Sequence, residues 1–353
     1  MRLYNIINSK ELKEDLKKES FVRKTISFYR YHIITNPKEF RDSLYLDWAN
    51  LGCFGRIYVA KEGINAQMSV PEQNFSKFLL SLSKYPIFDQ IPIKYAIEDN
   101  GKSFYKLAIK VRPKLVADGL DDGAFDVTNV GCHLKAEEFH ELVESGEHIV
   151  ADMRNHYESE VGYFKGAIRP EVDTFREEIN LVTEMLAEQK DRKILLYCTG
   201  GIRCEKASAF FKHNGFKDVN QLHGGILEYV RRIKQLNLES NFIGKNFVFD
   251  ERMGESVNGK VISQCHQCGK LCDQHLNCGN DLCHLLFIQC QECAEKFEKC
   301  CSVECQDIKN ASEVERQNFR LLNGHKFGNS KAYRKSYLLV KNITFADSIS
   351  GVK

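Results

Sequence analysis

Cys198-Thr199-Gly200-Gly201-Ile202-Arg203 sets a thiol, two glycines and a permanent cation within one short loop. An apolar run, Ile194-Leu195-Leu196-Tyr197, precedes the loop, and a helical stretch from Glu205 to His213 follows it. Cys198 is therefore expected at the carboxyl end of a buried strand, facing a helix N-terminus. Backbone N–H groups and the helix dipole at such a place favour a thiolate and lower its pKa. The glycines allow tight curvature and close approach of the backbone to an anion. This cradle suits a thiolate, a persulfide or a small oxyanion, with Cys198 and Arg203 as the catalytic pair and Gly200 and Gly201 supporting them. Cys204, next in the chain, is either a resolving thiol for a modified Cys198 or a small helix residue facing the core.

A second chemistry lies further along. Of the 14 cysteines, ten fall between Cys265 and Cys305, and in a reducing compartment such a cluster is a metal site before it is a set of disulfides. Cys265-x-x-Cys268 and Cys290-x-x-Cys293 are knuckles with metal-ligand spacing. Two zinc ions are expected, the first on Cys265, Cys268, Cys290 and Cys293, the second on Cys278, Cys283, Cys300 or Cys301, and Cys305. His266, His275 and His284 are possible substitute ligands. Sulfur-only sites are usually closed, so the role is structural, and a segment this short needs the metal to fold.

The elements that carry these groups divide the chain. Residues 1–120 read as strand (Thr25 to Ile33), helix (from Asn36-Pro37), two strands (Arg56 to Ala60, Ile64 to Val70), helix (Pro71 to Lys84) and two strands (Ile93 to Ile97, Phe104 to Val111), a ferredoxin-like, acylphosphatase-like α+β sandwich. Residues 125–240 alternate helix and strand, as a parallel sheet with helices on both faces requires. The strand Ile149 to Ala151 ends at Asp152, and Thr174 with Glu177 forms a capping box. Residues 241–310 hold the cysteine module. The tail, 311–353, has seven Lys or Arg and no Asp or Glu between Arg316 and Lys341, interleaved with Phe319, Phe327, Tyr333 and Tyr337. It suits phosphate contacts and base stacking, or is a solvated terminus. On the N-terminal sandwich, Phe28, Tyr29 and Tyr31 are candidates for stacking bases, although alternation more simply buries some of them. The whole is an α/β multidomain chain.

Asp152-Met-Arg154-Asn-His-Tyr157-Glu158, Gly162-Tyr-Phe-Lys-Gly166, the Cys198 to Arg203 loop and Leu222-His-Gly224-Gly225 resemble the ordered landmarks of a rhodanese domain. Asp152 and Arg154 are expected to hold the sheet edge by ion pairing, with Glu158 as a further partner. Cysteine phosphatases resemble rhodaneses but have a longer loop, so four residues between Cys198 and Arg203 disfavour phosphatase action. Beyond that domain, Thr25-Ile-Ser-Phe-Tyr, Ala60-Lys-Glu-Gly63-Ile-Asn65-Ala, Tyr197 to Lys206 and Phe242-Ile-Gly-Lys-Asn-Phe-Val-Phe-Asp-Glu-Arg252 resemble the bacterial tRNA uridine hydroxylases with a central rhodanese domain. The resemblance implies oxygen-dependent conversion of the tRNA wobble uridine to 5-hydroxyuridine, with dioxygen as co-substrate and Cys198 as the active cysteine, carried as a persulfide by analogy with sulfur transfer. It implies tRNA, through its anticodon region, as partner, together with a reductant or sulfur donor of unknown identity.

On the uridine that the resemblance implies, a thiolate adding to C6 of uracil would make C5 nucleophilic, with Arg203 stabilising the enolate oxygen. A two-histidine, one-carboxylate iron site from His156, Glu158 and His223 is a weaker reading, because it falls inside a rhodanese landmark. No flavin or NAD motif is visible. The rivals are a sulfurtransferase that passes persulfide sulfur from Cys198, and a non-catalytic rhodanese-zinc adaptor, which intact Cys198 and Arg203 argue against. With 50 basic and 48 acidic side chains, any contact with nucleic acid rests on local patches rather than an overall field. No stretch is long and apolar enough for a membrane helix and the charged N-terminus is unlike a signal peptide, so a cytoplasmic protein without a membrane partner is expected.

Overall fold

Strand β1 (Arg23–Tyr31) sorts its side chains by period two. Ile26 and Phe28 are buried in a core with Trp48, Phe78 and Phe88, whereas Ser27 and Tyr29 point to the opposite face and line a cavity. The computed structural model describes residues 3–121 and 123–327. A short helix α1 (Ser9–Lys18) precedes β1. Helix α2 (Pro37–Asn50) starts where the Asn36 side chain accepts the Glu39 N–H, and it buries Leu44 and Trp48 against the sheet. Then come β2 (Phe54–Ala60), β3 (Gly63–Pro71), α3 (Phe75–Leu82), β4 (Lys94–Tyr95) and β5 (Leu107–Val111). The sheet order is β4-β1-β3-β2-β5. Its first four strands are antiparallel, and β5 lies parallel to β2 at the edge. This is the ferredoxin-like split βαβ order with one strand appended.

Several boundaries differ from the sequence expectation, three of them for a local physical reason. Pro71 is the last residue of β3, paired with Arg23, rather than the first turn of a helix. A strand end tolerates the missing N–H, and a single 3-10 turn, Glu72–Asn74, separates it from α3. The strand expected over 93–97 shrinks to two residues because the Ile97 N–H is taken by Glu255 Oε1 at 3.1 Å. The last strand of the unit begins at Leu107, opposite Gly55, rather than at Phe104.

The second unit follows the alternation: β6 (Cys132–Leu134), α4 (Ala136–Ser145), β7 (Ile149–Asp152), α5 (His156–Ser159), β8 (Gly162–Phe164), α6 (Phe175–Met185), β9 (Lys193–Tyr197), α7 (Ile202–His213), β10 (Asp218–Leu222) and α8 (Gly225–Gln235). Strands β6-β10-β9-β7 form a parallel sheet. Strand β9 divides its apolar run between two cores, Ile194 and Leu196 on one face, Leu195 and Tyr197 on the other, as helices on both faces require. Helix α7 begins three residues earlier than expected, since Gly201 at φ 98° caps it. Arg203 and Cys204 thus belong to its first turn.

In the cysteine-rich region, β11 (Phe242–Asn246) and β12 (Glu255–Ser256) extend β8 into a small sheet. A hairpin of β13 (His275–Asn277) and β14 (Leu286–Ile288) follows, then α9 (Gln291–Lys296), α10 (Val303–Asn310) and α11 (Glu313–Phe327). The first part of the basic tail is therefore helical, and its Tyr333 and Tyr337 lie outside the described residues. Among the described residues no helix is long and apolar enough to cross a membrane.

Candidate active site and metal centres

Strand β9 delivers Cys198 to the expected position, 1% exposed, with its Sγ accepting the Gly201 N–H at 3.2 Å. Burial pushes the thiol up, but a hydrogen bond from Cys204, the Arg203 charge and the N–H groups of the α7 first turn outweigh it and bring Cys198 down to about 6. Cys204 is fully buried in the α7 core, and burial first, then the neighbouring Cys198 sulfur, holds its thiol well above the ordinary range. It is a protonated donor to Cys198. Gly200 has open space around it, whereas a Cβ on Gly201 would sit 2.8 Å from the Tyr29 hydroxyl. The Gly224-Gly225 landmark supports the loop from below: the Ile226 N–H donates to the Cys198 carbonyl at 3.1 Å, and a Cβ on Gly225 would stand 2.5 Å from that oxygen.

Arg203 is held differently from expectation. Its two Nη atoms donate to both oxygens of Glu158, at 2.6 and 2.8 Å, so its charge is largely matched and it is not free to hold an enolate. Glu158 is therefore not a partner of the Asp152 and Arg154 pair. Those two bind each other at 2.6 and 2.8 Å, with Tyr197 Oη on Asp152 at 2.7 Å and the Gly162 carbonyl on Arg154 at 2.6 Å. They tie β7 to β8 and β9 beneath the loop, outside the cavity lining. The same Glu158–Arg203 pair removes the carboxylate from the iron reading. Among the described residues, only two cysteine groups have metal-binding geometry.

Cys198 opens into a cavity of about 430 Å³, a size typical of sites for small molecules rather than of packing voids. Its walls come from all three units. The cavity face of the N-terminal sheet gives Tyr29, Arg56, Tyr58, Asn65 and Gln67, the rhodanese-type unit gives Cys198 to Gly200 and Arg203, and the segment after β11 gives Phe249, Asp250, Arg252 and Glu255. Tyr29 Oη donates to Glu205 Oε1 at 2.9 Å, which also meets His133 Nε2 at 3.0 Å. Burial first, then the Glu205 carboxylate, pushes the Tyr29 phenol far up, so it remains a neutral donor. Lys94 and Glu205 were not singled out from the sequence, and Glu158 was singled out for other roles than the pairing with Arg203 that it makes. Each is a lone residue whose partners are distant in the chain, and no local spacing marks it. Phe28, by contrast, is a core residue and is unavailable for base stacking.

The cysteine module gathers eight sulfurs into two groups, Cys265, Cys268, Cys290 and Cys293, and Cys278, Cys283, Cys301 and Cys305, each with all ligand atoms within 4.8 Å of one another. Sulfur contacts of 3.6 Å (Cys268–Cys290), 3.7 Å (Cys283–Cys301) and 3.6 Å (Cys301–Cys305) match the edge of a tetrahedral zinc–thiolate site, about 3.8 Å for Zn–S bonds of about 2.3 Å. Cys301 completes the second group, while Cys300 packs in the small core beside it. His266 bonds Glu160 at 2.7 Å, His275 packs on Phe247, and neither these nor His284 joins a group.

An acylphosphatase-like sheet, a parallel sheet with a cysteine loop at its strand ends and a module with two four-cysteine groups define a rhodanese-type multidomain protein. The family models agree: residues 23–115 match a UPF0176 acylphosphatase like domain, 135–232 a rhodanese-like domain and 243–306 a rhodanese C-terminal region. The chain is 52% identical over 349 residues to the tRNA uridine(34) hydroxylase of Leptospira interrogans, covering 98% of this chain and 95% of the relative. It is 50% identical over 342 residues to that of Hamiltonella defensa (97% and 96%) and 51% identical over 319 residues to that of Yersinia pestis (90% and 90%). The chain belongs to the tRNA uridine(34) hydroxylase family.

Proposed function

We propose that this protein hydroxylates C5 of the wobble uridine of tRNA, with Cys198 as nucleophile and dioxygen as oxidant. The observation that carries the mechanism is a low-pKa thiol opening into a nucleotide-sized cavity walled by polar and aromatic side chains from three units. Enzymes acting on a base take it out of the stack into such a pocket. Cys198 adds to C6, C5 becomes nucleophilic, and one oxygen atom is transferred to it. The other leaves as water with two electrons and two protons from a two-electron reductant, and loss of the C5 proton with expulsion of the thiolate restores the ring. Arg203, pinned by Glu158, and the Gly200-Gly201 turn hold the sulfur as thiolate. Cys204 keeps it charged, and the Asp152–Arg154 pair fixes the strand ends below. Zinc in the two cysteine groups would supply folding free energy only, about 10–16 kcal/mol for a structural site of this kind. A tRNA-modifying enzyme of this type works in the cytoplasm, on the anticodon region of its substrate.

The test is mass spectrometry of tRNA nucleosides from a deletion strain complemented with wild type or with Cys198→Ala. The expected result is loss of 5-hydroxyuridine derivatives on deletion and their return with wild type alone. Return with Cys198→Ala would overturn the nucleophile. Levels untouched by deletion, together with thiosulfate-dependent persulfidation of Cys198, would favour sulfur transfer instead.

A further inference from the structure

The buried cations around the cavity are not equivalent. Arg203 is saturated by Glu158, and Arg252 by Asp250 and Glu255. Lys94 is 7% exposed, lines the cavity with Cys198, and its ammonium makes no hydrogen bond or ion pair with a described residue. Its ammonium lies 4.4 Å from the Tyr29 ring centroid. The register explains the placement: β4 pairs Lys94 directly opposite Ser27, so both side chains share the cavity face of the sheet. Burying an ammonium without an anionic partner is costly. Such a group at a cleft wall is a candidate for receiving an anion that forms or arrives there.

The charged and titratable groups facing it are the Cys198 sulfur, Glu205 on α7, Glu228 on α8, His223 in the turn before α8 and the Tyr29 phenol on β1. Burial pulls Lys94 down to about 8, against the opposing pull of Cys198, Glu205 and Glu228. It is thus charged near neutrality yet releases its proton more readily than an ordinary lysine.

We propose that Lys94 is a catalytic residue whose ammonium donates a hydrogen bond to uracil O4 as Cys198 adds to C6. This inference rests on the addition step proposed above. In that step the thiolate pair forms the S–C6 bond, the C5=C6 pair moves to C4=C5, and the C4=O4 pair moves onto O4, where Lys94 meets the developing charge. After oxygen transfer to C5, water takes the C5 proton, the pair re-forms the enolate on O4 beside Lys94, and its collapse to C4=O4 and C5=C6 expels the Cys198 thiolate.

The experiment follows this step alone. An anticodon stem-loop RNA with 5-fluorouridine at the wobble position, added at saturating concentration to the full-length protein, accumulates the Cys198 adduct because the C–F bond blocks the later loss of a proton. Lys94→Met is expected to slow adduct formation about 100-fold, and Lys94→Arg to restore it to within roughly tenfold of wild type. The wild-type rate should fall as pH rises through about 8, and the Lys94→Arg rate should not. Iodoacetamide alkylation of Cys198, read by peptide mass spectrometry, should stay within about threefold of wild type in Lys94→Met, since Cys204, Arg203 and backbone N–H groups hold the thiolate. Three outcomes overturn the inference while leaving the addition step intact: an unchanged adduct rate in Lys94→Met, an equal loss of adduct and alkylation, or a defect relieved by more RNA. If wild type forms no adduct while still making 5-hydroxyuridine, the addition step fails, and this inference with it.

Discussion

Cys198 and Cys53 are both buried thiols, and their surroundings drive them in opposite directions. Cys53 has burial opposed only by the Arg23 charge and rises to about 12, whereas Cys198 has a thiol donor, a guanidinium and turn N–H groups and falls to about 6. Alkylation of Cys198 should therefore be half-maximal near pH 6, while Cys53 stays unreactive throughout the neutral range; peptide mapping across pH reads both. The sign for stability follows: a folded pKa below the unfolded value contributes stability above the unfolded pKa that is lost as pH falls through about 6. Removing the partner of a buried ion pair is strongly destabilising, by about 3–5 kcal/mol. Glu158→Gln should accordingly lower stability to denaturant by that order and lower the pH at which Cys198 reacts, because the Arg203 charge beside it is no longer matched. The thiolate loop was legible in the sequence because its strand, thiol, glycines and cation are consecutive. Glu158 and Lys94 were not, since each meets Arg203 or Cys198 only after the chain has folded back.

Strand β1 separates two kinds of residue at the scale of one element. Phe28 packs edge-on against Trp48 with ring centroids 6.3 Å apart, so Phe28→Ala should cost about 3–5 kcal/mol and reduce activity only through unfolding. Its neighbour Tyr29 makes one polar contact, to Glu205. Tyr29→Phe should cost about 1 kcal/mol yet slow 5-hydroxyuridine formation, and thermal melts beside nucleoside analysis separate the two effects. The period-two pattern told which residues share a face but not which face is covered by helices and which by the rhodanese-type unit. A similar limit applies to the metal module. Knuckle spacing located the first group and left the second to the remaining cysteines, but adjacent Cys300 and Cys301 are equivalent in sequence, and the turn before α10 sends only Cys301 toward Cys283 and Cys305. Cys301→Ser should lower the zinc content of the purified protein from two per chain toward one, while Cys300→Ala leaves it unchanged.

The stretches that resemble the hydroxylase family looked unrelated in the sequence, and at the scale of the whole molecule they converge on the cavity. From Ala60 to Ala66, Gly63 lets β3 pass where a Cβ would stand 2.0 Å from the Arg30 carbonyl, and Asn65 reaches the cavity. Glu62 of the same turn meets Lys206, the last residue of the Tyr197 to Lys206 stretch, at 2.7 Å. The Phe242 to Arg252 stretch ends in Arg252 on the third wall. The Glu62–Lys206 pair is thus a clamp between the N-terminal sheet and the first turns of α7. Lys206 is 2% exposed, so withdrawing the carboxylate leaves a charge that water cannot easily reach, while the Leu115 N–H loses an anionic acceptor at 2.6 Å. Glu62→Gln should therefore loosen the docking of the sheet and leave each unit folded. The expected signature is faster hydrogen exchange over 23–31, faster alkylation of Cys198 by bulky reagents and a raised KM for tRNA, with zinc content unchanged. An unaltered exchange pattern would mean that the apolar contacts around the cavity hold the units together without this pair. A loss of secondary structure would instead place Glu62 in the stability of the N-terminal fold.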